Sequence, residues 1–320
     1  MIEVLLATYN GERFLREQID SVLAQQLPEG VTLRIVARDD GSRDGTVAIL
    51  AEYAANDPQR VRVVHGEPSG GARFNFRALM AAATAPYVCL CDQDDVWLPH
   101  KIARSLERMQ RLESARGAEV PLLVFSDLRV VDGHLQTRAE SFWALQRIDP
   151  RSANSLPRAL VQDVLTGCTA MLNRALCCWG AAMPDAAPMH DRWLALVVAA
   201  LGSAEFLAEP QVLYRQHEAN VVGARAEDTS LSALTRRAAA GSRRTEQWIR
   251  SHRLAEALSR LAENEWNARS AATLAEFYRA GHAASGVARI AALLRGGFRR
   301  VGLLRNVAML VEAFRTRVPE

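Results

Sequence analysis

IEVLLATYNGERFLREQIDSVLAQQ, residues 2–26, starts as an apolar strand and turns through Thr8-Tyr9-Asn10-Gly11. It continues as a helix with Leu15, Ile19, Val22 and Leu23 on one face. The unit then recurs. TLRIVA (32–37) precedes a helix carrying Val47, Leu50, Ala51 and Ala54; VRVVH (61–65) precedes a helix after Gly71; YVCLC (87–91) is the next strand. Strands alternating with amphipathic helices imply an α/β fold with a mostly parallel, doubly wound sheet.

In such sheets ligands bind beyond the carboxyl ends of the strands, so the residues just after each strand carry the information. Here they are polar and acidic: Thr8-Tyr9-Asn10-Gly11, Asp39-Asp40-Gly41-Ser42 and Asp92-Gln93-Asp94-Asp95. Further along, Pro121 to Asp132 and Gly167 to Leu172 read as strands, a helix follows from Asn173, and His190-Asp191 opens another apolar helix. Beyond Tyr214-Arg215-Gln216-His217 the character changes. From about Thr229 the chain is rich in Ala, Arg and Leu and nearly free of proline, which reads as helices outside the sheet. The expected division is therefore a catalytic domain over 1–228 and a basic helical region over 229–320.

With 320 residues, 49% of them hydrophobic, the chain can bury a substantial core. It has no apolar run long enough to span a bilayer, and Met1 leads straight into a strand without a basic leader, so a cytoplasmic protein is expected. The five cysteines, Cys89, Cys91, Cys168, Cys177 and Cys178, lie among apolar neighbours and read as reduced core thiols rather than disulfides or a metal site. The net charge of +3 is unevenly spread: residues 1–232 carry 23 basic and 29 acidic side chains, residues 233–320 carry 16 and 7. A basic helical tail suits anionic lipid head groups, nucleic acid or an acidic partner, and charge alone does not choose among them.

Asp92 and Asp94, two residues apart just past a buried strand, can reach one hard cation, Mg²⁺ or Mn²⁺, whose shell a diphosphate would complete. The competing reading is a solvated helix start before Pro99. Asp39 and Asp40 can accept hydrogen bonds from a pyrimidine N–H and from ribose hydroxyls, although Asp-Gly runs also make turns without any ligand. Asp191, at the mouth of a helix, suits a general base toward an acceptor hydroxyl. His217 can offer an imidazole nitrogen to the same metal, against the commoner structural role of a lone histidine.

Seven segments in order, VLLATYNGERFLREQIDSVLAQ (4–25), RDDGSRDGT (38–46), GARFNFRALM (71–80), CDQDDVWLPHKI (91–102), LTGCTAMLNR (165–174), MHDRWLALVVAALG (189–202) and VLYRQHEANVVG (212–223), resemble the family 2 inverting glycosyltransferases, specifically their rhamnosyltransferase-like branch. The resemblance implies a GT-A fold, a nucleoside-diphosphate sugar donor and a metal site at Asp92 and Asp94 with His217 close by; Asp95 extends the acidic run, so which two aspartates touch the metal stays open. It implies donor contacts from Thr8, Tyr9, Asn10, Asp39, Asp40, Asn75, Asp92 and Gln93, and a base at Asp191. Trp97, Arg192 and Arg215 are candidate contacts to acceptor or phosphate. Arg192 is a departure, because the family often has an aromatic directly after its His-Asp. The first expectation is a deoxythymidine-diphosphate rhamnose donor and a lipid-linked glycan acceptor, with no nucleic-acid partner; a UDP-sugar donor and a noncatalytic sugar-nucleotide-binding subunit are the alternatives.

The tail segment ALLRGGFRRVGLLRNVAMLVEAF resembles helices that hold such enzymes to membranes. Leu303, Val307, Leu310 and Phe314 fall near one face, with Arg295, Arg299, Arg300 and Arg305 around it, a pattern suited to the inner face of a plasma membrane. The alternative is a core helix or a helix of a homo-oligomer. A dinucleotide dehydrogenase would need a glycine-rich turn where ATYNGERF stands, and a phosphatase with an aspartyl nucleophile would place its two aspartates after the first strand.

Overall fold

The computed structural model describes residues 1–217, 241–262 and 267–319. In chain order the elements are β1 (Ile2–Thr8), α1 (Leu15–Leu23), β2 (Leu33–Asp39), α2 (Thr46–Asn56), β3 (Val61–Val63), α3 (Ala72–Ala82), β4 (Tyr87–Cys91), β5 (Val96–Trp97), α4 (Lys101–Arg116), β6 (Leu122–Val131), β7 (Thr137–Ala139), α5 (Phe142–Gln146), α6 (Leu156–Ala159), β8 (Met171–Asn173), α7 (Arg174–Ala181), α8 (His190–Leu201) and β9 (Ser203–Arg215). Among the described residues of the C-terminal region four helices follow: α9 (Gly241–Leu261), α10 (Ala268–His282), α11 (Gly286–Arg295) and α12 (Leu303–Arg315). The expected boundary between residues 228 and 229, and the 218–223 end of the last motif, lie outside the described residues.

The sheet runs β3-β2-β1-β4-β8-β6-β9-β5, with β7 paired to β6. Its first four strands are parallel, as the alternating pattern requires. The remainder is mixed: β8 runs antiparallel to both β4 and β6, β9 parallel to β6, and β5 antiparallel to β9. Side chains of β1 alternate between two cores, Val4 and Leu6 on the side of α1, α2 and α4, Leu5 on the side of α3, α7 and α8. The second core does not stop at the sheet domain. It continues through Trp248, Leu254, Leu258, Phe277, Leu293, Phe298 and Met309, so the C-terminal helices share it.

Two local expectations need correction. Only Met171–Asn173 pairs as a strand, because Gly167–Thr169 winds into a 3₁₀ turn in which Ala170 N–H donates to the Gly167 carbonyl. That turn brings Gly167 against His190: a Cβ there would lie 2.6 Å from the imidazole Nε2. In α2 the buried face is Thr46, Ile49 and Leu50, whereas Val47 is exposed. Thr46 Oγ1 accepts the Gly11 N–H at 2.8 Å, and this anchor sets the rotation of the helix. The cysteines are free, four of them buried, but Cys178 is exposed on α7.

Candidate active site

The carboxyl ends of β1, β2 and β4 are zipped together by their own loops. Asn10, in the left-handed region at φ 49°, donates its N–H to Ser42 Oγ (2.8 Å) and accepts the Arg43 N–H on its side-chain oxygen (2.9 Å). The Gln93 amide closes a reciprocal pair with the Tyr9 backbone, accepting its N–H at 2.7 Å and donating to its carbonyl at 2.9 Å. Gly11 permits this approach, since a Cβ there would collide with Gln93 Oε1.

Asp39 and Asp40 separate in role. Both oxygens of Asp39 are used in its own turn, by Gly41 N–H, Ser42 N–H and Ser42 Oγ, with Thr8 Oγ1 as a fourth donor, and the residue does not line the cavity. The turn alternative therefore describes Asp39. Asp40 does line it. Burial pushes its carboxyl up, but hydrogen bonds from Ser69 and Gly71 and the nearby Arg38 guanidinium outweigh this and hold it below the usual range. Asn75, buried on α3, ties the same region together by accepting from Arg38 Nη1 (2.8 Å) and donating to the Arg38 carbonyl (3.0 Å).

One cavity of about 1930 Å³ joins these loops to Asp92, Gln93, Asp94, His190, Asp191, Arg192 and His217. Asp94 Oδ2 lies 2.8 Å from His217 Nε2. Burial and the neighbouring Asp94 and Asp191 charges push the Asp92 carboxyl up to about 7. Asp95 is fully buried beneath them, one oxygen accepting the Arg215 N–H at 3.1 Å, and ligand atoms of Asp92, Asp95 and Cys168 lie within 4.8 Å of one another. Oxygen donors crowded until their charges oppose one another, with an imidazole alongside, fit a hard divalent cation. Asp92, Asp94 and His217 are the donors facing the cavity; burial holds the Cys168 thiol protonated, so the deeper trio is the poorer set.

Asp191, which lines the same cavity, sits in the first turn of α8. Burial and then Asp163 push its carboxyl up to about 7, against the lowering pull of Arg192 and of backbone N–H groups. Arg192 is tied to Asp163, to the Leu160 carbonyl (3.1 Å) and to Ser251 Oγ on α9 (3.0 Å), so it links the start of α8 to the C-terminal helices. His190 is buried against Phe76 with ring centroids 4.0 Å apart, and burial holds it neutral, down at about 3.

Two expected contacts are corrected. Trp97 is 2% exposed, packed in the core with Lys101 Nζ 3.9 Å from its ring, and does not line this cavity. Arg215 is likewise 2% exposed: its guanidinium donates to the Asp94 carbonyl (2.8 Å), the Gly133 carbonyl (2.8 Å) and the Glu17 carboxylate, and lies 4.4 Å over Phe14. It is a strut that fixes the acidic bend rather than a contact to acceptor. Arg215→Ala should therefore cost about 3 kcal/mol of stability in denaturant unfolding, because buried carbonyls and a carboxylate lose their donor; a loss under about 1 kcal/mol would contradict this role. The sequence did not point to Asp163, Ser251, Arg250, Arg300 or Arg305 as cavity residues. Asp163 and Ser251 come from segments without motifs, and the arginines were read only as part of the basic tail, Arg300 and Arg305 beside its apolar helix face.

Comparisons with known proteins bear on the fold and the family. The structure of S. aureus TarS 1–349 in complex with UDP-GlcNAc superposes with a TM-score of 0.55 at 15% identity, over 92% of this chain and 81% of that one. The likeness shows the fold: a GT-A-like α/β domain followed by helices. The dTDP-rhamnosyl transferase RfbG of Shigella flexneri is 33% identical over 106 residues, 32% of this chain and 36% of that protein. The putative teichuronic acid biosynthesis glycosyltransferase TuaG of Bacillus subtilis is 31% identical over 115 residues, 36% and 44% of the two chains. Among the curated relatives the matches span 31% to 45% of the relative's own length. The family model "Glycosyl transferase family 2" matches residues 3–177, more than half of the sequence, and the chain belongs to that family.

Proposed function

We propose that the protein is an inverting glycosyltransferase that moves a sugar from a nucleoside-diphosphate donor to a glycan acceptor. One observation carries the reading: Asp92, Asp94, His217 and Asp191 all line a single cavity, and the Asp191 charge acts on Asp92. The loops bearing Thr8, Tyr9, Asn10, Asp40 and Asn75 form the nucleoside side, shaped by the Asp39 turn and the Gln93 clamp. Asp92, Asp94 and His217 would hold Mg²⁺ or Mn²⁺, which when bound offsets charge on the departing diphosphate. Asp191 takes the acceptor hydroxyl proton as that oxygen attacks the anomeric carbon from the face opposite the diphosphate, and a single displacement inverts the centre. The Arg192 N–H, donating to Asp191 Oδ1 at 2.7 Å, keeps the carboxylate in place.

The raised carboxyl of Asp191 gives a pH test. The base must be ionised, so kcat/KM should rise with pH through an inflection near 7 and level off above it. A rate that stays flat between about pH 5.5 and 8 would remove Asp191 from this role.

The likeness to RfbG makes dTDP-rhamnose the first donor to try, and a UDP-sugar the second. Melting shifts with a panel of nucleotide sugars separate them, because a true donor stabilises in proportion to its occupancy. The C-terminal helices support an acceptor presented at a membrane surface. Leu303, Leu304, Val307, Val311 and Phe314 are all exposed and follow one stripe of α12, beside the face that buries Met309 and Ala313. No helix among the described residues is long and apolar enough to cross a membrane.

A further inference from the structure

LTGCTAMLNR (165–174) supplies no side chain to the proposed reaction, yet its turn at Gly167–Thr169 touches both the acidic bend and the base. The turn is closed by its own bonds. Thr169 donates to the Thr166 carbonyl through its N–H (3.0 Å) and its Oγ1 (2.7 Å), and Ala170 N–H donates to the Gly167 carbonyl at 2.9 Å. One end is tied to β4, the strand that leads into Asp92, because the Ala170 carbonyl accepts the Leu90 N–H at 3.1 Å. Cys168 lies on that side too, its thiol within 4.8 Å of carboxylate oxygens of Asp92 and Asp95. The other end reaches α8. Gly167 N–H donates to the Asp191 carboxylate, which also accepts the Arg192 N–H on Oδ1 at 2.7 Å. Adjacent residues of one short turn thus meet an aspartate that would hold the metal and the carboxylate that would take the proton.

One residue limits the space beside Gly167. A Cβ there would lie 2.6 Å from His190 Nε2 and 3.5 Å from two of its ring carbons, and the Gly167 backbone lies outside the left-handed region, so alanine would meet the imidazole and no backbone strain. His190 has little room to yield. It is 3% exposed, its ring centroid is 4.0 Å from that of Phe76, and it opens α8 directly before Asp191. We propose that Gly167 is a positioning residue for Asp191: lacking a side chain, it lets the turn close against His190, so that its N–H holds the carboxylate at a set distance from the acidic bend. This rests on the reading of Asp191 as the base, but the hydrogen bond itself is testable without turnover.

The test starts with the parent chain, labelled for NMR at its glycine amides and aspartate carboxyl carbons. The carboxyl resonance missing from Asp191→Asn identifies Asp191, and the Gly167 amide proton should shift with pH at the same midpoint, a response that Asp191→Asn should abolish. In Gly167→Ala the displaced carboxylate should bind its proton at least about threefold more tightly than in the parent. The charges that face it are Asp163, Arg192 and Asp92, with Glu246 and Arg250 of α9 on the same cavity, and the substitution alters none of them. In assays of that variant kcat should fall at least about tenfold with the donor KM within about twofold, and the inflection of kcat/KM should move up with the titration. Gly167→Ala/His190→Ala removes the ring that the new methyl strikes. It should recover the parent titration and most of kcat even though it melts lower, a pattern that loss of stability alone would not produce. A Gly167 amide indifferent to the Asp191 titration, or a folded Gly167→Ala with the parent's titration and kcat, would overturn the positioning role. Full activity in Asp191→Asn would sink the base reading whatever the amide does, whereas an amide that ignores Asp191 in an enzyme that needs Asp191 would sink the role of Gly167 alone.

Discussion

Asp191→Asn is expected to lower turnover at least about 100-fold while leaving donor affinity within about twofold. The substitution keeps the shape at the mouth of α8 and removes only the capacity to take a proton. Its effect should fall on kcat, since the carboxylate acts on the acceptor proton as the new bond forms. It should also not weaken the fold. A carboxyl pushed up to about 7 by burial and by Asp163 binds its proton more tightly in the native state than in the unfolded chain. Between about pH 4 and 7 the native state therefore holds the extra proton, and stability contributed by this group falls as pH rises through that window. The neutral amide escapes that loss, so the variant should melt no lower than the parent at about pH 8. Full activity in stopped assays would reject the base, and a lower melting point would show that the carboxylate has a structural task.

The second large effect concerns Asp94. Asp94→Ala should reduce activity by roughly 10³-fold, in keeping with several kcal/mol of charge stabilisation at the leaving group. In the parent, chelator should abolish turnover and Mn²⁺ or Mg²⁺ should restore it, whereas the variant should not recover. A binding readout separates metal from general damage. Asp92 and Asp95 are both pushed up by burial and by neighbouring carboxylates, so the metal-free protein loses stability as pH climbs toward 7 and beyond. Mn²⁺ should consequently raise the melting temperature of the parent more at about pH 8 than at about pH 5, and barely at all in Asp94→Ala. Chelator-insensitive turnover would take the metal out of the reaction.

The parallel half of the sheet was legible because each strand is followed by a helix whose apolar residues keep a 3.6-residue period. The antiparallel half was not. Gly167–Leu172 looks like a strand by composition, yet a turn held by its own backbone and pressed against His190 claims half of it. At the site, Asp92, Asp94, Asp191 and His217 were found by type and position and are brought together, although the role of each rests on the experiments above. Trp97 and Arg215 were misplaced because a polar or aromatic residue beside a motif looks the same in sequence whether it points to the cavity or into the core. What decides is the partner: β9 pairs with Trp97 through the short strand β5, and Glu17 on α1 receives Arg215. Arg250, Arg300 and Arg305 were illegible as cavity residues for a different reason: they lie far along the chain from the strand-end motifs, and only the packing of the C-terminal helices brings them to the same cavity.

That packing has a consequence for how such a protein can change. Trp248, Phe277, Phe298 and Met309 belong to the same apolar mass as Leu5, Phe76 and Trp193, so among the described residues no seam separates the helices from the sheet half. Cutting the chain ahead of α9 would lay bare one flank of the protein, and grafting helices from a relative would demand that many apolar neighbours be refitted at once. A shift in what the cavity accepts is thus more readily reached through single exchanges on the inner rim than by trading whole modules.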